Sequence, residues 1–162
     1  MKNWIGLIVL VVFAFACSKD EPEPKFEPAA VTFSSGVVEK WPVTDSNGSS
    51  WDFTSGPDTY VGLVREDGAV LATSTITPDR EGNGPISFLI SKTFNAAEFD
   101  ENLFVILIDL DWEDGNDVMG GVGFQIQNFV KPNYTSKSQF PTKIKMTSPD
   151  GTFSVSLSVE WK

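Results

Sequence analysis

The sequence predicts an all-β fold, an antiparallel β-sandwich of eight short strands. Three observations carry this. Short apolar or alternating segments recur along residues 30–162, each bounded by Gly, Pro, Asn, Asp or Ser. No segment sustains a 3.6-residue apolar period. Thirteen Gly and ten Pro, with abundant Thr, Ser, Val and Phe, suit extended chain and tight turns. Strands without a long helix bury their apolar faces against one another, as two packed sheets.

The first element is an address. Lys2 gives a positive start, and residues 5–15 form an apolar run of eleven residues. That is too short to span a bilayer but fits a signal-peptide core. Ala14 and Ala16 frame Phe15 before Cys17, the one cysteine of the chain. This pattern resembles the lipobox of bacterial lipoproteins. The resemblance implies lipid on Cys17, which becomes the new N-terminus after residues 1–16 are removed. Ser18-Lys19-Asp20-Glu21-Pro22-Glu23-Pro24 is polar, charged and Pro-rich, so residues 17–29 are expected to form a flexible tether. Cys-Ser-Lys-Asp-Glu is similar to the export signal of surface lipoproteins in Bacteroidetes. It implies an outer-membrane, lipid-anchored protein at the cell surface.

Residues 30–162 form the expected domain, large enough to fold without disulfides. Strands are predicted at 30–39, 59–65, 70–76, 86–93, 103–109, 118–127, 143–147 and 152–161. Asp67-Gly68 predicts a hairpin between the second and third. Ser148-Pro149-Asp150-Gly151 predicts a turn into the last. Beyond it Phe153, Val155, Leu157, Val159 and Trp161 share one face, and Ser154, Ser156, Ser158 and Glu160 the other. Residues 95–101 admit at most one helical turn. Trp41 and Trp161 are expected in the core.

Composition excludes several functions. Twelve Lys+Arg against 22 Asp+Glu give a net charge of −10, the wrong sign for nucleic acid. The chain has no histidine, which removes His-based acid–base and nucleophilic chemistry. One cysteine precludes an intramolecular disulfide. A monomer is expected.

The acidic residues cluster where strands give way to loops. Asp52 and Asp58 are six apart; Asp109, Asp111 and Asp117 form a second group. Asp109 and Asp111 share a face if the strand runs through them. Crowded carboxylates repel and raise one another's pKa, a conflict that a hard cation removes. Calcium accepts about six to eight oxygen ligands in irregular geometry. An EF-hand is excluded. With Asp109 at position one, Asp114 falls where Gly is required and Gly120 where Glu is required.

These two motifs resemble those of the C2 domain, a β-sandwich that binds calcium in loops at one end. Asp52 and Asp58, followed by Thr59-Tyr60-Val61, are similar to its first loop. Asp109, Asp111 and Asp117, followed by Val118-Met119-Gly120, are similar to its third. Asn83-Gly84-Pro85-Ile86-Ser87-Phe88 resembles a worn Asn-Pro-aromatic strand of the same family. The resemblance implies that the five aspartates hold calcium, with backbone carbonyls of Trp51 and Leu110 completing the shell. Pro57 and Thr59 depart from the family's usual Ser and Pro. Glu113 and Asp114 stand where membrane-binding members often carry a basic residue, and no Lys/Arg-rich strand follows. The Asp52–Asp58 loop follows the first strand, which suits the variant with its calcium loop there.

Trp51 and Trp112 flank the acidic groups. They are candidates for packing, for membrane insertion or for stacking a sugar. The leading expectation is a lipid-anchored, calcium-binding module with a non-catalytic role, its partner a surface protein, a glycan or a membrane. The alternatives are a calcium-dependent phospholipid-binding domain and a glycan-binding lipoprotein that needs no calcium. An enzyme is disfavoured, because these carboxylates are crowded as in a metal site rather than spaced as an acid–base pair.

Overall fold

The computed structural model describes residues 25–45, 47–51, 56–80, 82, 84–111 and 115–162. The apolar run 5–15, Cys17 and the tether up to residue 24 lie outside the described residues. Among the described residues eight strands appear in chain order: β1 (Ala30–Lys40), β2 (Thr59–Arg65), β3 (Val70–Thr73), β4 (Ile86–Asn95), β5 (Leu103–Asp109), β6 (Asp117–Phe124), β7 (Lys143–Thr147) and β8 (Ser154–Trp161). They form two antiparallel four-stranded sheets, ordered β4-β1-β8-β7 and β3-β2-β5-β6. The expected all-β sandwich is the observed fold.

Alternation places the core between the sheets. Along β5 every second residue from Leu103 to Asp109 is buried. The predicted inner face of β8 is buried throughout, from Phe153 to Trp161. Trp41 and Trp161 are both core residues, 4% and 2% exposed. Gly36 on β1 lies under the Phe88 ring, and a Cβ there would stand 2.3 Å from that ring. The bare backbone is therefore part of the packing.

Both predicted turns form. Gly68 (φ 85°) donates its N–H to Arg65 O, and Ala69 N–H is held by Asp67 Oδ1. Gly151 (φ 71°) closes the second turn onto Ser148 O. The helical turn admitted at residues 95–101 is the 3₁₀ turn Ala96–Glu98, tied by Asn95 N–H to Glu98 Oε2.

Four expectations need correction. The third strand ends at Thr73, not at 76. There the Ser74 hydroxyl, in place of a carbonyl, accepts the Val61 N–H. The sixth strand ends at Phe124, because residues Ile126–Phe129 turn into a 3₁₀ segment that buries Ile126. The Gln127 N–H bonds Phe99 O instead of a strand neighbour. Ser154 and Ser156 are buried rather than facing water; Ser156 donates to Glu39 Oε1, itself paired with Lys145. Finally, residues 25–29 are docked on the sandwich. Phe26 N–H bonds Thr135 O, Ala29 N–H bonds Lys162 O, and Pro28 is buried. Phe26 meets the Phe140 ring edge-on, 5.4 Å between centroids. Apolar contact and paired backbone groups together fix this stretch, which composition alone assigns to a tether.

Candidate metal centre

The antiparallel order brings the acidic segments to one end of the sandwich. β2 begins there, β5 ends there and β6 begins there. Asp109 closes β5, facing inward at 1% exposure. Its register partners are Thr59 on β2, wholly buried, and Asp117 on β6, exposed. Two carboxylates directly opposite across a strand pair repel.

Asp58 reaches the same corner through its backbone: its carbonyl accepts the Leu110 N–H at 2.9 Å. One Asp58 carboxylate oxygen accepts the Asp79 N–H at 2.8 Å. Asp79 adopts a left-handed φ of 48°, which Asp tolerates better than most side chains. Thr59 and Thr77 exchange both backbone hydrogen bonds, fixing the β3–β4 connection against the start of β2. Asp111 is half-buried just beyond β5. Asn116 donates to the Tyr60 hydroxyl and ties the β5–β6 loop to β2.

Asp58, Asp109, Asp111 and Asp117 thus belong to one end, from two separate loops. Asp52, Trp112, Glu113 and Asp114 lie outside the described residues. Among the described residues, no three carboxylates stand close enough together to hold a metal ion. The donor chemistry is nonetheless uniform. Carboxylate and backbone oxygens form the set, without thiolate or imidazole, which fits calcium better than zinc or copper.

Trp51 is half-buried, packs against the core and donates its indole N–H to Pro42 O at 2.9 Å. That bond and that packing hold its ring in the loop wall. Asp79 was not among the residues singled out from the sequence. Only the fold carries its N–H to the Asp58 carboxylate.

No family model and no curated protein sequence matches the chain. Solved structures do. One described as a C2 domain aligns with a TM-score of 0.53 at 13% identity, over 82% of this chain and 97% of that one. A C2 domain of plant Extended Synaptotagmin 1 aligns with a TM-score of 0.57 at 10% identity, over 85% and 97%. The fold is C2-like. In this C2-like sandwich the loop ending in Asp58 follows β1, as expected from the sequence.

Proposed function

We propose that the chain is a lipid-anchored, calcium-binding C2-like module with a non-catalytic binding role, held through Cys17 at an outer membrane. The observation that supports calcium is the pairing of Asp109 with Asp117 across β5 and β6, one carboxylate buried and the other open. Asp58 and Asp111 border that pair. A divalent cation there neutralises the repulsion and joins the two loops. Calcium then governs the order of the loop end, and with it the binding of a partner.

The test is a thermal melt of residues 25–162 in calcium and in excess chelator. Free calcium at a hundredfold its dissociation constant stabilises by about 2.7 kcal/mol per site. For this size that raises Tm by roughly 5–10 °C. Asp109→Asn combined with Asp117→Asn is expected to abolish the shift. An unchanged Tm at millimolar calcium would sink the calcium reading. The anchor is checked separately, by the mass of the N-terminal peptide from cells.

A further inference from the structure

The N-terminal segment and the aspartate loops occupy opposite ends of the sandwich. Residues 25–29 dock beside Thr135, Phe140 and Lys162, where β1 begins and β8 ends. β1 then runs eleven residues to Lys40, at the end where Asp109 and Asp117 meet. At about 3.3 Å per residue the two ends are roughly 33 Å apart, before any loop is added.

Charge divides the same way. Among the described residues, the four loops of the aspartate end, with their bordering strand residues, hold seven Asp against Lys40 and Arg80. The segments of the opposite end hold six of each sign, with Lys25, Lys131, Lys137 and Lys162 around the docked strap. Lys25 and Lys131 spend hydrogen bonds on the backbone carbonyls of Pro132 and Asn128.

Because residues 25–29 are docked, only residues 17–24 separate the anchor from the body. Eight residue steps reach at most about 29 Å at full extension. That is shorter than the sandwich, so the chain cannot invert to set its loop end on the bilayer that holds it. An anionic surface also repels the aspartate end more than the near-neutral tether end. Resting on the anchoring at Cys17 proposed above, we infer that the protein stands with its tether end on the membrane and its aspartate loops pointing away. The loops then take a ligand presented from outside, not the lipids of their own bilayer.

The test couples residues 17–162 through Cys17, the one cysteine, to a maleimide lipid in nanodiscs of phosphatidylcholine and phosphatidylserine. Gadolinium-chelate lipid then bleaches the amide signals nearest the bilayer. Loss of the Phe26, Lys131, Tyr134 and Lys162 signals is expected, with Asp58, Asp109 and Asp117 retained, in calcium and in chelator alike. Loss of the aspartate-end signals, or even loss over the whole domain, overturns the inference. Because the anchor is attached chemically, the outcome stands apart from whether cells acylate Cys17. The chelator arm separates it from calcium binding.

Discussion

Phe26→Ala tests whether the strap before β1 is structural. The ring is half-buried and meets Phe140 edge-on at 5.4 Å, inside an aromatic group that continues to Tyr134 and Trp161. Full burial of a Phe side chain contributes about 1.5–3 kcal/mol, so half-burial contributes about 1. The edge-on pair adds about 0.5–1.5 kcal/mol. The loss is therefore about 1.5–2.5 kcal/mol, which for this domain lowers Tm by roughly 5–9 °C. Phe26→Leu keeps most of the apolar area and is expected to lose less than half as much. Melts of the three proteins by circular dichroism decide it. A Phe26→Ala protein as stable as its parent would refute the docking. It would also lengthen the free tether by five residues, or about 17 Å, and remove the geometric limit on how far the loop end can reach.

Other expectations follow from single positions. Gly36→Ala places a methyl 2.3 Å from Phe88 Cζ and 2.8 Å from the Ser156 carbonyl, so overpacking of about 1–3 kcal/mol is expected in urea unfolding. Wild-type stability there would mean that the Phe88 ring moves freely. The Asp150 carboxyl is lowered from 3.8 to about 2, chiefly by the Ser148 hydroxyl and then by Thr152. A lowered carboxylate stabilises the fold above its unfolded pKa and loses that contribution as pH falls through its folded one. The Asp150 share is therefore lost between about pH 4 and pH 2, and carbon-detected titration should place its midpoint near the lower figure. Arg65, 36% exposed and bound to Glu98 and Glu101, is screened by water. Arg65→Ala is expected to lower Tm only slightly, and less in high salt than in low; a large loss that salt leaves unchanged would contradict this.

The strands were legible because their alternation is local. A period of two in β8 names its inner face without reference to any neighbour, and Asp-Gly or Pro-Asp-Gly names the turn by backbone preference. The strand-end positions of Asp58, Asp109 and Asp117 were legible for the same reason: each lies at or beside a strand boundary in sequence. What sequence could not carry was the surroundings of a face. Ser156 alternates correctly, yet Glu39, 117 residues away, accepts its hydroxyl and is itself bound by Lys145. Gln125 and Gln127 continue a plausible strand, but Ile126 gains more by burial, and their hydrogen bonds find Asp100, Asn102 and Phe99. Residues 25–29 look like tether until Thr135 and Lys162 offer them backbone partners.

By itself, then, the sequence determined the eight strands, their turns and the acids at their ends, all set by short-range backbone and alternation rules. Tertiary structure alone decided that Asp117 faces Asp109 and that Asp79 binds Asp58. It also decided that the strap lies at the far end from both. Those relations depend on which strands pair, and pairing is a competition among distant segments for the same buried surface and the same hydrogen bonds.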